Sequence, residues 1–173
     1  MLKKCRCGTE YIQYTSLQTR CPRCLAKRAQ EAREKKERKA HREAKDRIKS
    51  RSDWLREAQA AFNKYIRLRD KDEPCISCGR HHQGQYHAGH YRSVGAAPEL
   101  RFNLFNVHKQ CAPCNNHKSG NAIEYRINLV NKIGLDEVSR LEGPHQAKKY
   151  TLDEIKEIKQ GFNQWARELE DLC

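Results

Sequence analysis

The chain has 173 residues, enough for one ordinary domain or for two small ones joined by a linker. It is 33% charged and 37% hydrophobic with a mean hydropathy of -1.03, too polar for a single large core; small metal-held units joined by exposed helix suit those figures better. A formal charge of +13 favours a polyanionic partner, and zinc-bound thiolates at eight cysteines would still leave it at about +9.

Of the two polyanions that fit, nucleic acid is preferred to a membrane surface. No apolar run approaches the roughly 20 residues needed to span a bilayer, and the amino terminus MLKKCRCG lacks the apolar stretch of a signal peptide. A reducing cytoplasm is therefore expected, where close cysteine pairs bind metal more often than they form disulfides.

Eight of the nine cysteines fall in such pairs. Cys5 and Cys7 form C-x-C; Cys21–Cys24, Cys75–Cys78 and Cys111–Cys114 each form C-x-x-C. Each pair supplies half of a tetrahedral zinc site. The simplest pairing of neighbours gives one zinc on Cys5, Cys7, Cys21 and Cys24, and a second on Cys75, Cys78, Cys111 and Cys114. Four thiolates leave no open position for water, so both zincs are expected to be structural. Cys173 is expected to be a free surface thiol.

In chain order, residues 1–26 read as a zinc ribbon with short β segments such as EYIQYT. Residues 27–51 carry 12 Lys and Arg against five acids with no Gly or Pro, which predicts an exposed basic helix or linker roughly 37 Å long. Acid-before-base pairs such as Glu34–Arg38 support it. Lys35, Lys36, Arg38 and Lys39 are candidate DNA contacts there, the alternative being a solvated linker helix. From Ser52, taken as an N-cap, Trp54, Leu55, Ala58, Ala61, Phe62, Tyr65 and Ile66 recur at helical spacing and predict a helix with a buried face. QYHAGHYRS and LRFNLFNVHKQC read as two strands joined through the loop VGAAPE, followed by a helical turn from about Cys114 and a short helix near 122–133. Thr151 and Glu154 form a capping box for a last helix with the apolar stripe Leu152, Ile155, Ile158, Phe162, Trp165 and Leu169. Residues 52–173 are thus expected to form one α+β domain.

The order Cys75-x-x-Cys78, His90, Asn106, Cys111-x-x-Cys114-Asn115 resembles the zinc-bearing HNH endonucleases of the ββα-metal fold. PCISCG, AGHYR, LRFN, HKQC and CNNHKSGN, with the amino-terminal cysteines and basic helix, resemble the phage lambda NinG (Rap) recombination endonucleases. That likeness implies a small zinc-stabilised ββα-metal nuclease unit between long flanking helices, with His90 as general base, Asn106 bracing the loop and Asn115 binding the catalytic metal. It also implies branched DNA substrates such as Holliday junctions and D-loops, phage recombination in the host cytoplasm, and a homodimer suited to symmetric nicking. No membrane and no small-molecule substrate are expected.

Phosphodiester hydrolysis gives these residue types a reason. A neutral imidazole takes a water's proton near neutral pH, and a divalent ion neutralises charge developing on phosphate. Mg2+ or Mn2+ suits an amide oxygen and phosphate oxygens. Where related nucleases carry an acid or His before the base, this chain has Gly89; His87 is then a substitute ligand, shifting the preference towards Mn2+, Zn2+ or Ni2+, or a surface strand residue. His108 and His117 lie near enough in sequence for a direct role. Arg92, Arg101, Lys109 and Lys118 flank the site as candidate phosphate contacts. Competing readings are a non-catalytic zinc-dependent DNA-binding protein, an HNH enzyme cutting duplex at a defined sequence, and an RNA-binding zinc ribbon.

Overall fold

A computed structural model describes residues 1–172; the expectation for Cys173 lies outside the described residues. The chain divides into two compact units, Met1–Lys49 and the remainder from Ser50.

The first unit has almost no apolar core. Strands β1 (Leu2–Lys4) and β2 (Glu10–Ile12) pair antiparallel, with Lys3 opposite Tyr11. Between them the turn at Cys5-Arg6-Cys7-Gly8 closes through Gly8 N donating to the Cys5 carbonyl at 2.8 Å, with Gly8 at φ +90°. Its buried residues are Cys5, Tyr11 and Cys21, packed with Cys24, a core so small that a metal on these cysteines could supply cohesion that side chains do not. Helix α1 (Pro22–Ile48) grows directly from this cluster, with Cys21 as N-cap and Pro22 at the first position, where its missing N–H costs nothing. None of its residues is buried. The basic helix thus starts inside the expected ribbon, ahead of residue 27, and its 27 residues span about 40 Å.

The second unit opens at Ser50. The N-cap of helix α2 (Arg51–Arg69) is Ser50, two residues before the expected Ser52: its hydroxyl accepts from Asp53 N at 3.2 Å and its N–H donates to the Asp53 carboxylate at 3.1 Å. Only Ser50 has an acid three residues on to return the bond. The capping box at Thr151 and Glu154 forms as the sequence predicts and starts helix α5 (Leu152–Asp171). The stripe of α5 packs on α2. Phe162 meets Phe62 edge-on at 4.8 Å, and Ile155 and Ala166 are buried, while Leu152 and Trp165 stay 40% and 44% exposed.

Strands β3 (Tyr86–His90) and β4 (Val107–Cys111) form an antiparallel hairpin in which Tyr86 faces Cys111, His87 faces Gln110 and His90 faces Val107. Residues 100–106, expected to begin the second strand, turn instead. The Asn103 side chain accepts from the N–H groups of Phe105 (2.8 Å) and Asn106 (3.2 Å), which withdraws those donors from any ladder. Past Cys111 the expected helical turn is a π-type turn over Pro113–His117. Helix α3 (Ala122–Ile133) matches the expectation, and a further helix α4 (Leu135–Glu142) follows Gly134. The two close a core of Tyr125, Leu129, Val138 and Leu141 with Leu100 and Ile76. The result is a mixed α+β chain with two small sheets.

Candidate functional site

Two groups of four cysteines gather as the spacing predicts: Cys5, Cys7, Cys21 and Cys24, and Cys75, Cys78, Cys111 and Cys114, with the sulfurs of each group within 4.8 Å of one another. A tetrahedral zinc with bonds of about 2.3 Å needs sulfurs about 3.8 Å apart. Cys7 Sγ and Cys21 Sγ lie 3.7 Å apart. Each group also receives a backbone donor, Cys21 N to Cys5 Sγ and Cys111 N to Cys75 Sγ, both at 3.3 Å, the bonding that steadies thiolates. The two groups fit zinc in ligand number, spacing and ligand chemistry. His82, which the sequence reading left aside, places Nε2 at 3.1 Å from Cys78 Sγ as a further donor to the second group. Gly79 (φ +65°) closes that knuckle with N–H to the Cys75 carbonyl at 2.8 Å.

The second group ties β4 to the 75–78 knuckle, and the same hairpin holds His90 at the end of β3. His90 Nε2 donates to the Arg101 carbonyl at 3.0 Å. A carbonyl only accepts, so Nε2 carries the proton and Nδ1 keeps its lone pair. Nδ1 has no hydrogen-bond partner among the described residues. Burial lowers the His90 pKa from its ordinary value; the Arg101 carbonyl raises it in part, and the Arg101 charge lowers it again. Burial thus favours the neutral ring, and Nδ1 is the nitrogen able to accept a proton.

Asn106 is fully buried and fixes the loop that supplies this carbonyl. Its Oδ1 accepts from Arg92 N at 2.8 Å, and its Nδ2 donates to the carbonyls of Arg92 at 3.0 Å and Leu100 at 3.2 Å. Tyr91 N donates to the Asn106 carbonyl at 2.8 Å. One side chain thus ties Arg92, two residues after His90, to Leu100, the residue immediately before Arg101.

Strand alternation puts His87 and Gly89 on the face opposite His90. On that face the Gln110 amide lies against Gly89: a Cβ there would stand 2.1 Å from Gln110 Oε1. Gln110 Nε2 donates to Ser77 Oγ and to the Gly120 carbonyl, both at 2.6 Å, which fixes which amide atom is oxygen. Tyr125 OH donates to the Gly89 carbonyl at 2.9 Å. His87 Nε2 is buried without a hydrogen-bond partner, which suits either a ligand nitrogen or a strand residue facing an ordered water. Asn115, in the π-type turn, is partly exposed and bonds Asn116 through Nδ2, leaving its oxygen the atom suited to a hard cation.

His108 is committed elsewhere. Its Nδ1 accepts from Arg69 Nη2 at 3.0 Å and its Nε2 donates to the Phe105 carbonyl at 3.1 Å. Lys109 is buried with Nζ on the Lys71 carbonyl at 2.7 Å and over the Tyr86 ring, so its ammonium is not displayed to a phosphate. Lys118 and His117 are exposed. Arg101 is partly buried with no acidic partner among the described residues; burial lowers its pKa, Tyr150 raises it, and nearby Arg51 lowers it. A cation so placed is set for an anion from outside. Arg92 lies near Glu142. On α1, Lys35, Arg38 and Lys39 are exposed and share one basic patch with Arg42, which the sequence reading did not single out; Lys36 is exposed outside that patch.

No helix of the described residues is long and apolar enough to cross a membrane. No solved structure matches the chain. Curated relatives do: the protein ninG of Escherichia phage lambda is 48% identical over 70% of this chain, that of Enterobacteria phage H19B 50% identical over 72%, and that of Salmonella phage P22 48% identical over 72%. The matches cover 60%, 61% and 61% of those relatives, so the chain spans somewhat under two thirds of their length. The model of the family described as Bacteriophage Lambda NinG protein matches residues 2–171, nearly the whole chain. By that match and by these relatives, the chain belongs to the NinG family.

Proposed function

We propose that this chain is a metal-dependent DNA endonuclease of the HNH, ββα-metal type. We further infer that it acts as a homodimer on branched recombination intermediates such as Holliday junctions and D-loops. The observation that carries the reading is His90: a neutral imidazole whose Nε2–H is spent on a backbone carbonyl and whose Nδ1 has no protein partner is the state a general base requires. The clamp by Asn106 supports it, since a base has to be held rigidly to abstract a proton from water.

In this mechanism His90 Nδ1 accepts the proton of the attacking water. Asn106 acts through the loop, holding the Arg101 carbonyl on Nε2 so that the tautomer and the ring plane stay fixed. Arg101, lacking an acidic neighbour, takes a phosphate oxygen. Asn115 Oδ1 would hold the divalent ion, and Mg2+ or Mn2+ there would supply charge neutralisation on the phosphate; His87, the second ligand the sequence suggests, lies on the strand face opposite His90. Zinc on Cys75, Cys78, Cys111 and Cys114 would keep hairpin and π-type turn in register. The basic face of α1 adds sequence-independent attraction to the DNA backbone.

The test is an immobile four-way junction and a linear duplex of matching sequence, each incubated with protein and Mg2+ or Mn2+, with His90→Ala alongside. Paired nicks near the branch, absent from the duplex and the variant, are expected. Equal binding by both proteins with no cutting under any metal would leave a non-catalytic zinc-dependent DNA-binding protein. Cutting of linear duplex at a defined sequence would move the chain to another kind of HNH enzyme.

A further inference from the structure

Phe105 is 50% exposed, yet it sits in a turn that buried groups hold from several sides. Its N–H donates to Asn103 Oδ1 at 2.8 Å and its carbonyl accepts from His108 Nε2 at 3.1 Å. Arg69 donates to the carbonyl before it, on Leu104, and to the Val107 carbonyl just beyond, both at 2.9 Å. Arg69 is itself gripped by Asp70 at 2.6 and 2.9 Å, and Asp70 also accepts from Lys109 N at 3.0 Å. Buried ionic groups of this kind add little net stability; their return is a single conformation. Here that conformation displays a ring. An exposed phenylalanine alone says nothing, but a rigidly displayed one is a preformed contact surface.

Its position narrows the partner. His90 faces Val107 across the hairpin, and Phe105 is two residues further, so chain reach puts its Cα within roughly 13 Å of that of His90. Arg92 and Arg101 belong to the same 91–106 connection, and Phe105 makes no ring contact with another described residue. An exposed apolar ring in the same connection as two arginines fits a ligand with anionic backbone and π-faced units.

We propose that Phe105 is a stacking platform for a nucleobase that has left its duplex stack. This rests on the nucleic-acid reading above. A duplex hides its base faces, so Phe105 engages DNA only where pairing is interrupted, at a branch point, a gap or a single strand, and thereby supplies selectivity for structure.

The experiment places 2-aminopurine at the branch of a four-way junction, in a single strand and in mid-duplex, in buffer with neither added divalent metal nor chelator. Wild type is expected to quench the probe in the junction and the single strand and not in the duplex. Phe105→Ala and Phe105→Leu should abolish the quench and weaken binding to those two DNAs by roughly 5- to 150-fold, with less than about twofold change on duplex; Phe105→Trp should retain both. No quench by wild type, equal losses on all three DNAs, or full recovery by Leu would overturn the stacking role. Zinc content and the thermal midpoint check that the variants fold. The proposals fail separately: a chain that quenches single strands without cutting junctions loses the nuclease reading only, and one that cuts junctions without quenching loses the stacking role only.

Discussion

Gly89 and Gln110 occupy one space: a Cβ on residue 89 would lie 2.1 Å from Gln110 Oε1 and 2.9 Å from its Cβ and Cδ. This explains physically why the position before His90 carries no acid. The room that a carboxylate would need is filled by an amide anchored on Ser77 and Gly120.

Substituting Gly89 should therefore cost stability and gain no metal ligand. Gly89→Ala is expected to lower unfolding free energy by about 1–3 kcal/mol, the range for overpacking, and Gly89→Asp by at least as much. Gln110→Ala in either background should restore part of the loss, because it removes Oε1 and Cδ and leaves only the Cβ contact. Urea unfolding of wild type, Gln110→Ala, the two Gly89 variants and the two double variants measures this; strict additivity of the two substitutions would show that the contact is unimportant.

Asn106→Ala removes a buried side chain that makes bonds to Arg92 and Leu100. The groups left unpaired cost about 1–3 kcal/mol each. The proposed role adds a kinetic signature: junction cleavage should fall by about 100-fold or more while junction affinity changes by less than about threefold. A loss of affinity in step with activity would instead mean that the loop's contribution is to binding.

Much of this centre was legible in the sequence because it is local. Cysteine spacing and the Thr151 and Glu154 capping box depend on neighbours within a few residues, and the order of His90, Asn106 and Asn115 came from family resemblance. What escaped depends on distance or competition. Ser50 displaced Ser52 as cap because Asp53 is three residues from one and adjacent to the other. The Arg69, Asp70 and His108 network joins side chains far apart in the chain, and the fit of Gln110 under Gly89 exists only once the hairpin register is set. Helix α4 is short, with only Val138 and Leu141 buried to mark it.

The carboxylate of Asp70 gives a pH dependence of stability. Burial pushes its pKa up, but the neighbouring His108, the hydrogen bonds and charge of Arg69 and the Lys109 N–H outweigh this and hold it well below the usual carboxylate range. A depressed folded-state value means that the contribution is complete above the unfolded-state pKa, near 3.9, and fades as pH falls below it. Asp70→Asn is accordingly expected to lower the thermal midpoint at pH 7 and to flatten its fall between about pH 4 and pH 2. A parallel shift of the whole curve would assign the acid sensitivity to other groups, the zinc thiolates first among them.

For His90 the sign runs through activity. Burial lowers its pKa, so the neutral form that accepts a proton persists below the ordinary imidazole value of about 6.5. At saturating Mg2+, the single-turnover rate of junction cleavage should decline on the acid side with a midpoint below about 6.5. Asn106→Asp, which loses the Nδ2 donors holding the loop, is expected to free the ring and move the decline upward towards the ordinary value. A wild-type midpoint above about 6.5 would mean that the titrating base is not a buried neutral imidazole, and an unchanged midpoint in Asn106→Asp would remove Asn106 from the control of His90.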